Sequence, residues 1–385
     1  MPDISKGAKR IYGEAAFEVL AKARELERQG KEILHFEIGE PDIETPENIS
    51  NAGIKAIKNK KTHYTPSIGI LELRKAVVDE IERTRGYRPR LEQIVITPGL
   101  KPGIFFSMLA TVNPGDEVIY PDPGYPTYGS ATAFLNAKPV MVPLLEENEF
   151  RINPDDICDI ITDKTKLIIV NSPQNPTGSV MTKKELDQIA EIAEEKDIFV
   201  VSDEIYSKMT YESDHHTLTL RDEAKKRTVL LDGFSKYYAM TGWRLGFMIA
   251  PEKMVDRIKD FLVTSISCTA DFTQWAGVEA LTGDQSFIPE MMKRFKQKRD
   301  RIIKGLNTIP GFNCKSPKGA FYAFPNIKKT GMKSQECADH LLYNAGVAVL
   351  PGTAFGPYGE GYIRFSYATS LEKIDQAIEK IKNAF

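Results

Sequence analysis

Apolar positions along this chain follow two periods that alternate with each other. From 14 to 28, Phe17, Leu20, Ala21, Ala23 and Leu26 recur near helical spacing among charges, which predicts an amphipathic helix stopped by Gly30. A short apolar element over 33–38 runs into the turn cluster Gly39-Glu-Pro-Asp42. Thr45-Pro46 predicts a helix start in the N-cap-then-proline order, 62–69 a loop, and 71–81 a further helix. Short β-branched runs then predict strands at 94–96, 117–120, 167–170, 198–201 and 229–231. Between them lie an apolar helix after 97–103 and a helix over 183–195, with Leu186, Ile189, Ala190, Ile192 and Ala193 on one face. After about 275 the pattern changes to two long charged helices, a turn at Pro317-Lys-Gly-Ala320, and a final helix through Leu371, Ile374, Ile378 and Ile381.

Strands alternating with amphipathic helices predict an α/β domain, a mainly parallel sheet covered on both faces, followed by a smaller α+β unit. A length of 385 residues agrees with more than one domain. The expected division is an N-terminal arm and helix over 1–45 packing with the small domain, a large domain over 46–275, and a small domain over 276–385. Fifty-one basic and 53 acidic side chains leave a net charge of -2, which gives no footprint for nucleic acid or an anionic membrane. The four cysteines stand apart with no CxxC pair, so neither a disulfide framework nor a zinc site is expected, and no metal is assigned. The N-terminal residues lack the apolar core of a signal peptide, and no apolar run reaches membrane-spanning length. These readings predict a soluble, cytoplasmic protein.

Ligands of open α/β sheets bind outside the carboxyl ends of the strands. Those ends carry Thr97–Lys101, Asp122–Tyr128, Asn171 and Asn175, Asp203 and Tyr206, and Ser235-Lys236. Taken singly, each has an ordinary reading. Lys236 is a solvated cation, Asn175 a turn residue, Asp203 a helix cap and Tyr125 a core ring. Together at one sheet edge they have a chemical logic. The amides of Leu100 and Lys101 open a helix and suit an anion, and Arg244 adds donors for phosphate. Tyr125 can cover a flat ring, Asp203 can hold a ring nitrogen protonated, and Tyr206 and Asn175 can hold a ring oxygen. Lys236, beside a desolvated floor, can attack a carbonyl carbon. Phosphate, pyridinium, ring hydroxyl and aldehyde describe pyridoxal 5'-phosphate.

Four pieces in this order, Asn175-Pro-Thr-Gly, Asp203-Glu-Ile-Tyr206, Ser235-Lys236 with Arg244, and Tyr362-Ile-Arg-Phe-Ser-Tyr-Ala368, resemble the class I aminotransferases of the aspartate aminotransferase superfamily. The resemblance covers nearly the whole chain. It implies a seven-stranded sheet in the large domain of pyridoxal-phosphate fold type I. It also implies that Lys236 is the Schiff-base lysine and general base, that Asp203 pairs with the ring nitrogen, that Tyr206 and Asn175 bond the ring hydroxyl, and that Tyr125 stacks on the ring. Leu100, Lys101, Ser235 and Arg244 would hold the phosphate. Arg364, with the Gly39 amide, would clamp the substrate α-carboxylate. Tyr64 would cross to the partner's phosphate in a homodimer with shared active sites. The implied reaction is a ping-pong transfer of an amino group from an L-amino acid to 2-oxoglutarate. Lys101 stands where relatives contact a distal carboxylate, which favours aspartate. Glu14 and Ala16 stand where such relatives have Ser and Thr, and the wording Asp-Gly-Phe-Ser-Lys and Lys-Gly-Ala-Phe-Tyr resembles aromatic aminotransferases. A β-eliminating lyase and a cofactor-binding regulator without catalysis are the alternatives. A dinucleotide oxidoreductase would need GxGxxG between strand and helix, which the candidate turns lack.

Overall fold

The computed structural model describes residues 2–385, the side chains of residues 222 and 223 excepted. Met1, the first residue of the expected arm, lies outside them. In chain order the strands are β1 (Leu34–His35), β2 (Ile94–Thr97), β3 (Glu117–Asp122), β4 (Lys138–Pro143), β5 (Thr165–Asn171), β6 (Phe199–Asp203), β7 (Thr228–Gly233) and β8 (Gly246–Ile249). Four more follow: β9 (Tyr322–Ala323), β10 (Val347–Ala348), β11 (Leu350–Pro351) and β12 (Ile363–Ser366). Seven of these form one sheet in the order β2-β8-β7-β6-β5-β3-β4, parallel throughout except that β8 runs antiparallel to β2 and β7. The expected α/β fold with a mainly parallel seven-stranded sheet is the fold observed.

Burial on both faces explains why the central strands read as unbroken apolar runs. Val229 and Leu231 enter one core cluster while Leu230 enters another, so alternate residues of a single strand serve opposite layers. Helix Lys101–Thr111 covers one face through Ile104, Phe106 and Met108, and Gly103 lets it approach Leu231 closely. Helix Lys183–Glu195 covers the other through Leu186, Ile189, Ala190 and Ala193. It begins with a capping box in which the Thr182 hydroxyl accepts from Glu185 N and the Glu185 carboxylate accepts from Thr182 N.

The sequence pattern does not mark β4 or β8. Strand β4 is a half-exposed edge carrying Pro139 and Pro143, and β8 is four residues long. Thr45 does not cap the helix after it. That helix, Glu47–Lys58, has Pro46 at its N-cap, and the Thr45 hydroxyl instead donates to Ala239 O at 2.6 Å and accepts from Trp243 Nε1 at 3.0 Å. Of the two long charged helices expected after 275, only Phe287–Leu306 follows that residue entirely. Trp275 stands inside helix Asp271–Thr282, which packs on Glu47–Lys58 and Leu71–Arg85 beside the large sheet.

The C-terminal unit has an antiparallel sheet β11-β12-β9 and the terminal helix Leu371–Ala384. Helix Ala15–Arg28 joins it through a cluster of Ala23, Leu26, Ile33, Leu342 and Ala348, and β1 pairs with β10. The chain then runs on to Gly39, held where Phe36 O accepts from Ser366 N at 2.7 Å. No described helix is long and apolar enough to cross a membrane.

Candidate active site

Chain order decides where the crevice opens. From β3 the chain goes outward to the edge strand β4, then returns to place β5 on the other side of β3, and continues to β6 and β7. The connections leave β3 and β5 in opposite directions, which is the switch point where open α/β sheets form a crevice. A cavity of about 560 Å³ lies there. Its lining takes in Gly39, Leu100, Lys101, Tyr125, Asn175, Asp203, Tyr206, Ser235, Lys236, Arg244 and Arg364. Residues from separate stretches of chain thus converge. Tyr64 does not line it and is 88% exposed.

Lys236 Nζ donates to Gly39 O at 2.7 Å. Burial, and after it the Arg364 guanidinium, pulls its pKa down to about 8, with Glu40 and Glu14 opposing. An amine with that pKa is neutral in part at physiological pH, as a nucleophile or base requires. Gly39 has no room for a side chain, because a Cβ there would collide with Tyr322 Oη.

Asp203, at the end of β6, is buried, and desolvation pushes its carboxyl up to about 6. Tyr128 OH donates to Oδ2 at 2.7 Å and Ile205 N to Oδ1 at 3.3 Å, and both oppose that rise. No helix follows Asp203 for it to cap; its bond from Ile205 N is a local turn contact, and the side chain faces the cavity. On the neighbouring strand end, Asn171 Nδ2 donates to Asp203 O at 3.0 Å, and Asn171 Oδ1 accepts from Asn175 N at 3.0 Å. The Tyr206 and Tyr322 hydroxyls bond at 2.6 Å.

Arg364, on β12, is buried against the rings of Tyr322 and Phe355, 4.6 and 5.0 Å from their centroids. Nη1 donates to Asn175 Oδ1 at 3.2 Å and Nη2 to Glu37 O, while Nε has no partner. A buried guanidinium lining the cavity suits a carboxylate arriving there. Arg244 adopts φ 55°, in the left-handed region, and lies over Gly99, where a Cβ would collide with its guanidinium. The same glycine approaches Gly246 of β8. This brings the guanidinium to the N-terminus of helix Lys101–Thr111, where unpaired amides favour an anion.

At the outer end, Lys101 Nζ is ion-paired with Glu14 Oε1, which also accepts from Tyr125 OH at 2.8 Å. Glu14 is delivered by the arm, whose Arg10 caps helix Pro126–Phe134 by donating to Ala133 O at 2.7 Å. Sequence reasoning gave no role to Tyr128 or Tyr322. Both lie in segments that it singled out, but their partners stand 75 and 116 residues away, beyond any local pattern. Among the described residues no cluster of His, Cys, Asp and Glu is placed to hold a metal ion.

Residues 31–381 match the family described as aminotransferase class I and II. An aspartate aminotransferase of Pyrococcus horikoshii is 42% identical over 369 residues, 94% of each chain. The aromatic-amino-acid aminotransferase 2 of Thermococcus litoralis is 41% identical over 355 residues, 91% of each chain. The solved structure of Thermus thermophilus aspartate aminotransferase with maleate, 35% identical, superposes with a TM-score of 0.96 over 100% of both chains. With identity at this level along nearly its whole length, the chain belongs to the class I and II aminotransferases and is an amino-group-transferring enzyme of fold type I.

Proposed function

We propose that the cavity holds pyridoxal 5'-phosphate and that the enzyme moves the amino group of an aromatic L-amino acid or aspartate to 2-oxoglutarate. One observation carries this reading: a lysine of lowered pKa, a buried aspartate and a buried arginine face one cavity at the sheet's switch point. The residues fit the cofactor. The Gly99 cradle seats Arg244 at a helix N-terminus for the phosphate, with Ser235 and the amides of Leu100 and Lys101. Asp203 would hold the ring nitrogen's proton, Asn175 and Tyr206 the ring hydroxyl, and Tyr125 one ring face.

When bound, the cofactor supplies an aldehyde for the amino group and a ring that takes up the electron pair left on the substrate's α-carbon. The protein supplies the rest. The Arg364 guanidinium and the Gly39 N–H would hold the α-carboxylate and so fix the orientation of the bonds at the α-carbon. Lys236, in its neutral form, accepts the α-proton and returns it on the far side of the reaction. Asp203, ionised once a cationic ring nitrogen stands beside it, keeps that nitrogen protonated.

The donor reading rests on the Glu14–Lys101 pair. An aromatic side chain meets a pair of no net charge and leaves it closed. A distal carboxylate, on aspartate or 2-oxoglutarate, requires Lys101 to turn from Glu14 toward the substrate. Both donor classes occur among the relatives. A screen of aspartate, tyrosine and phenylalanine against 2-oxoglutarate tests the reading; pyruvate and ammonia released from a cysteine conjugate without any oxo acid would replace it with an eliminating lyase.

The same reading includes a cytoplasmic homodimer in which Tyr64, exposed and outside its own cavity, reaches the partner's phosphate. It also divides the chain into arm, large domain and small domain. We place the last break after helix Asp271–Thr282, because that helix packs on the large domain.

A further inference from the structure

Behind the cavity, on the side away from it, a buried cluster joins the strand ends. Glu204 follows Asp203, and Glu204 N donates to Leu231 O at 2.8 Å, one residue before Asp232. The carboxylates of Glu204, just past β6, and Asp232, near the end of β7, therefore stand side by side, and neither lines the cavity. Arg85, the last residue of helix Leu71–Arg85, inserts between them. Its Nε donates to Glu204 Oε2 at 3.2 Å and its Nη2 to Asp232 Oδ2, with side-chain exposure of 2%. Burial opposes its charge, and the two carboxylates more than restore it.

The other bonds of the cluster fall in a pattern. Asp232 accepts from Ser207 Oγ at 3.0 Å and from Tyr237 OH at 2.9 Å. Glu204 accepts from Ser202 Oγ at 3.0 Å, Thr217 Oγ1 at 2.6 Å and His215 Nε2 at 2.8 Å. Asp203, Tyr206 and Lys236 face the cavity, and the next residue of each, Glu204, Ser207 and Tyr237, faces the cluster. Since adjacent side chains share one stiff backbone, fixing the hidden residue fixes the exposed one.

We infer that Arg85 is a positioning residue for the cofactor, acting through Glu204 and Asp232 to set Asp203, Tyr206 and Lys236 relative to one another. The inference rests on the reading that these three groups hold the cofactor. A guanidinium is needed because its planar fork reaches two carboxylates at once, which a lysine ammonium at the same position does not.

Arg85→Lys in the full-length holoenzyme tests it, with thermal unfolding, steady-state kinetics and titration of the stripped protein with pyridoxal phosphate. The expected result is a folded protein whose kcat falls about tenfold or more with KM for the amino donor nearly unchanged. Its affinity for pyridoxal phosphate should fall by a similar factor. Glu204→Gln gives a second arm should Arg85→Lys fail to fold, because it leaves Arg85 and Asp232 as a neutral pair. There the same losses are expected, smaller, with the melting temperature kept. Wild-type kcat and cofactor affinity in either folded variant, or losses that track only the folded fraction, would overturn the inference. Wild-type protein that neither binds the cofactor nor transaminates would instead sink the reading beneath it.

Discussion

Tyr128 OH donates to Asp203 Oδ2 at 2.7 Å, and both side chains are buried. The bond pulls the Asp203 pKa down against the desolvation that raises it. Tyr128→Phe removes that pull, so the carboxyl rises above its present value of about 6. Hydrogen bonds to charged groups contribute roughly 1.5–3 kcal/mol, which corresponds to about one to two pH units. On the proposed role of Asp203, cofactor binding uses the ionised form and should weaken below a pH about one unit higher than in the wild type. Titrations with pyridoxal phosphate across the range from acid to mildly alkaline pH measure this, and an unmoved midpoint would remove Tyr128 from the account.

Asp203 also makes the cofactor-free protein less stable at neutral pH. Its folded pKa lies above its ordinary value of 3.8, at about 6. An acid raised in this way contributes stability that is present below about 3.8 and lost as pH rises through about 6. A rise of that size corresponds to roughly 3 kcal/mol lost by about pH 8. Asp203→Asn carries no charge there. Stripped of cofactor, the variant should exceed the wild type in urea stability at about pH 8 by about 2–3 kcal/mol, with the gap closing near about pH 4, while its turnover drops sharply.

On the proposed donor reading, the ion pair between Glu14 and Lys101 sets how freely the lysine meets a distal carboxylate. Glu14→Gln releases the lysine, so kcat/KM for aspartate should rise about tenfold relative to tyrosine. Lys101→Ser should do the reverse, lowering aspartate turnover while aromatic turnover persists. Equal changes for both donors would show that the pair does not read the side chain.

Gly39→Ala places a methyl against Tyr322 Oη, and Tyr322 holds the Tyr206 hydroxyl. The arm segment must shift, carrying Gly39 O away from Lys236 Nζ. The expected loss is on the order of tenfold to a hundredfold in kcat/KM. A variant within twofold of wild type would show that the arm yields at no cost.

Much of this site is legible in the sequence because its residues end strands, and buried strands announce themselves. The expected helix over 183–195 is observed at those bounds, where a capping box and a one-sided apolar face agree. The family read from Asn175, Asp203, Lys236 and Arg364 is the family that the comparisons show. Other features have no local signal. Strand β8 is short and antiparallel, and a Cβ on Gly233 of β7 would press on its Gly246 at 3.0 Å. Thr45 satisfies every local rule for a cap, yet Ala239 and Trp243 claim its hydroxyl across the fold. The Glu14–Lys101 pair and the fork of Arg85 depend on side chains that meet only after the chain is folded.

The central claim is that Lys236 moves the α-proton in a site built for pyridoxal phosphate. Steady-state transamination by Lys236→Ala, with tyrosine or aspartate and 2-oxoglutarate as substrates and excess cofactor present, tests it most directly. The account predicts a loss of turnover on the order of 10³-fold or more, together with loss of the visible absorbance of the lysine-bound cofactor in a protein that still folds. Turnover within about threefold of the wild type would contradict it.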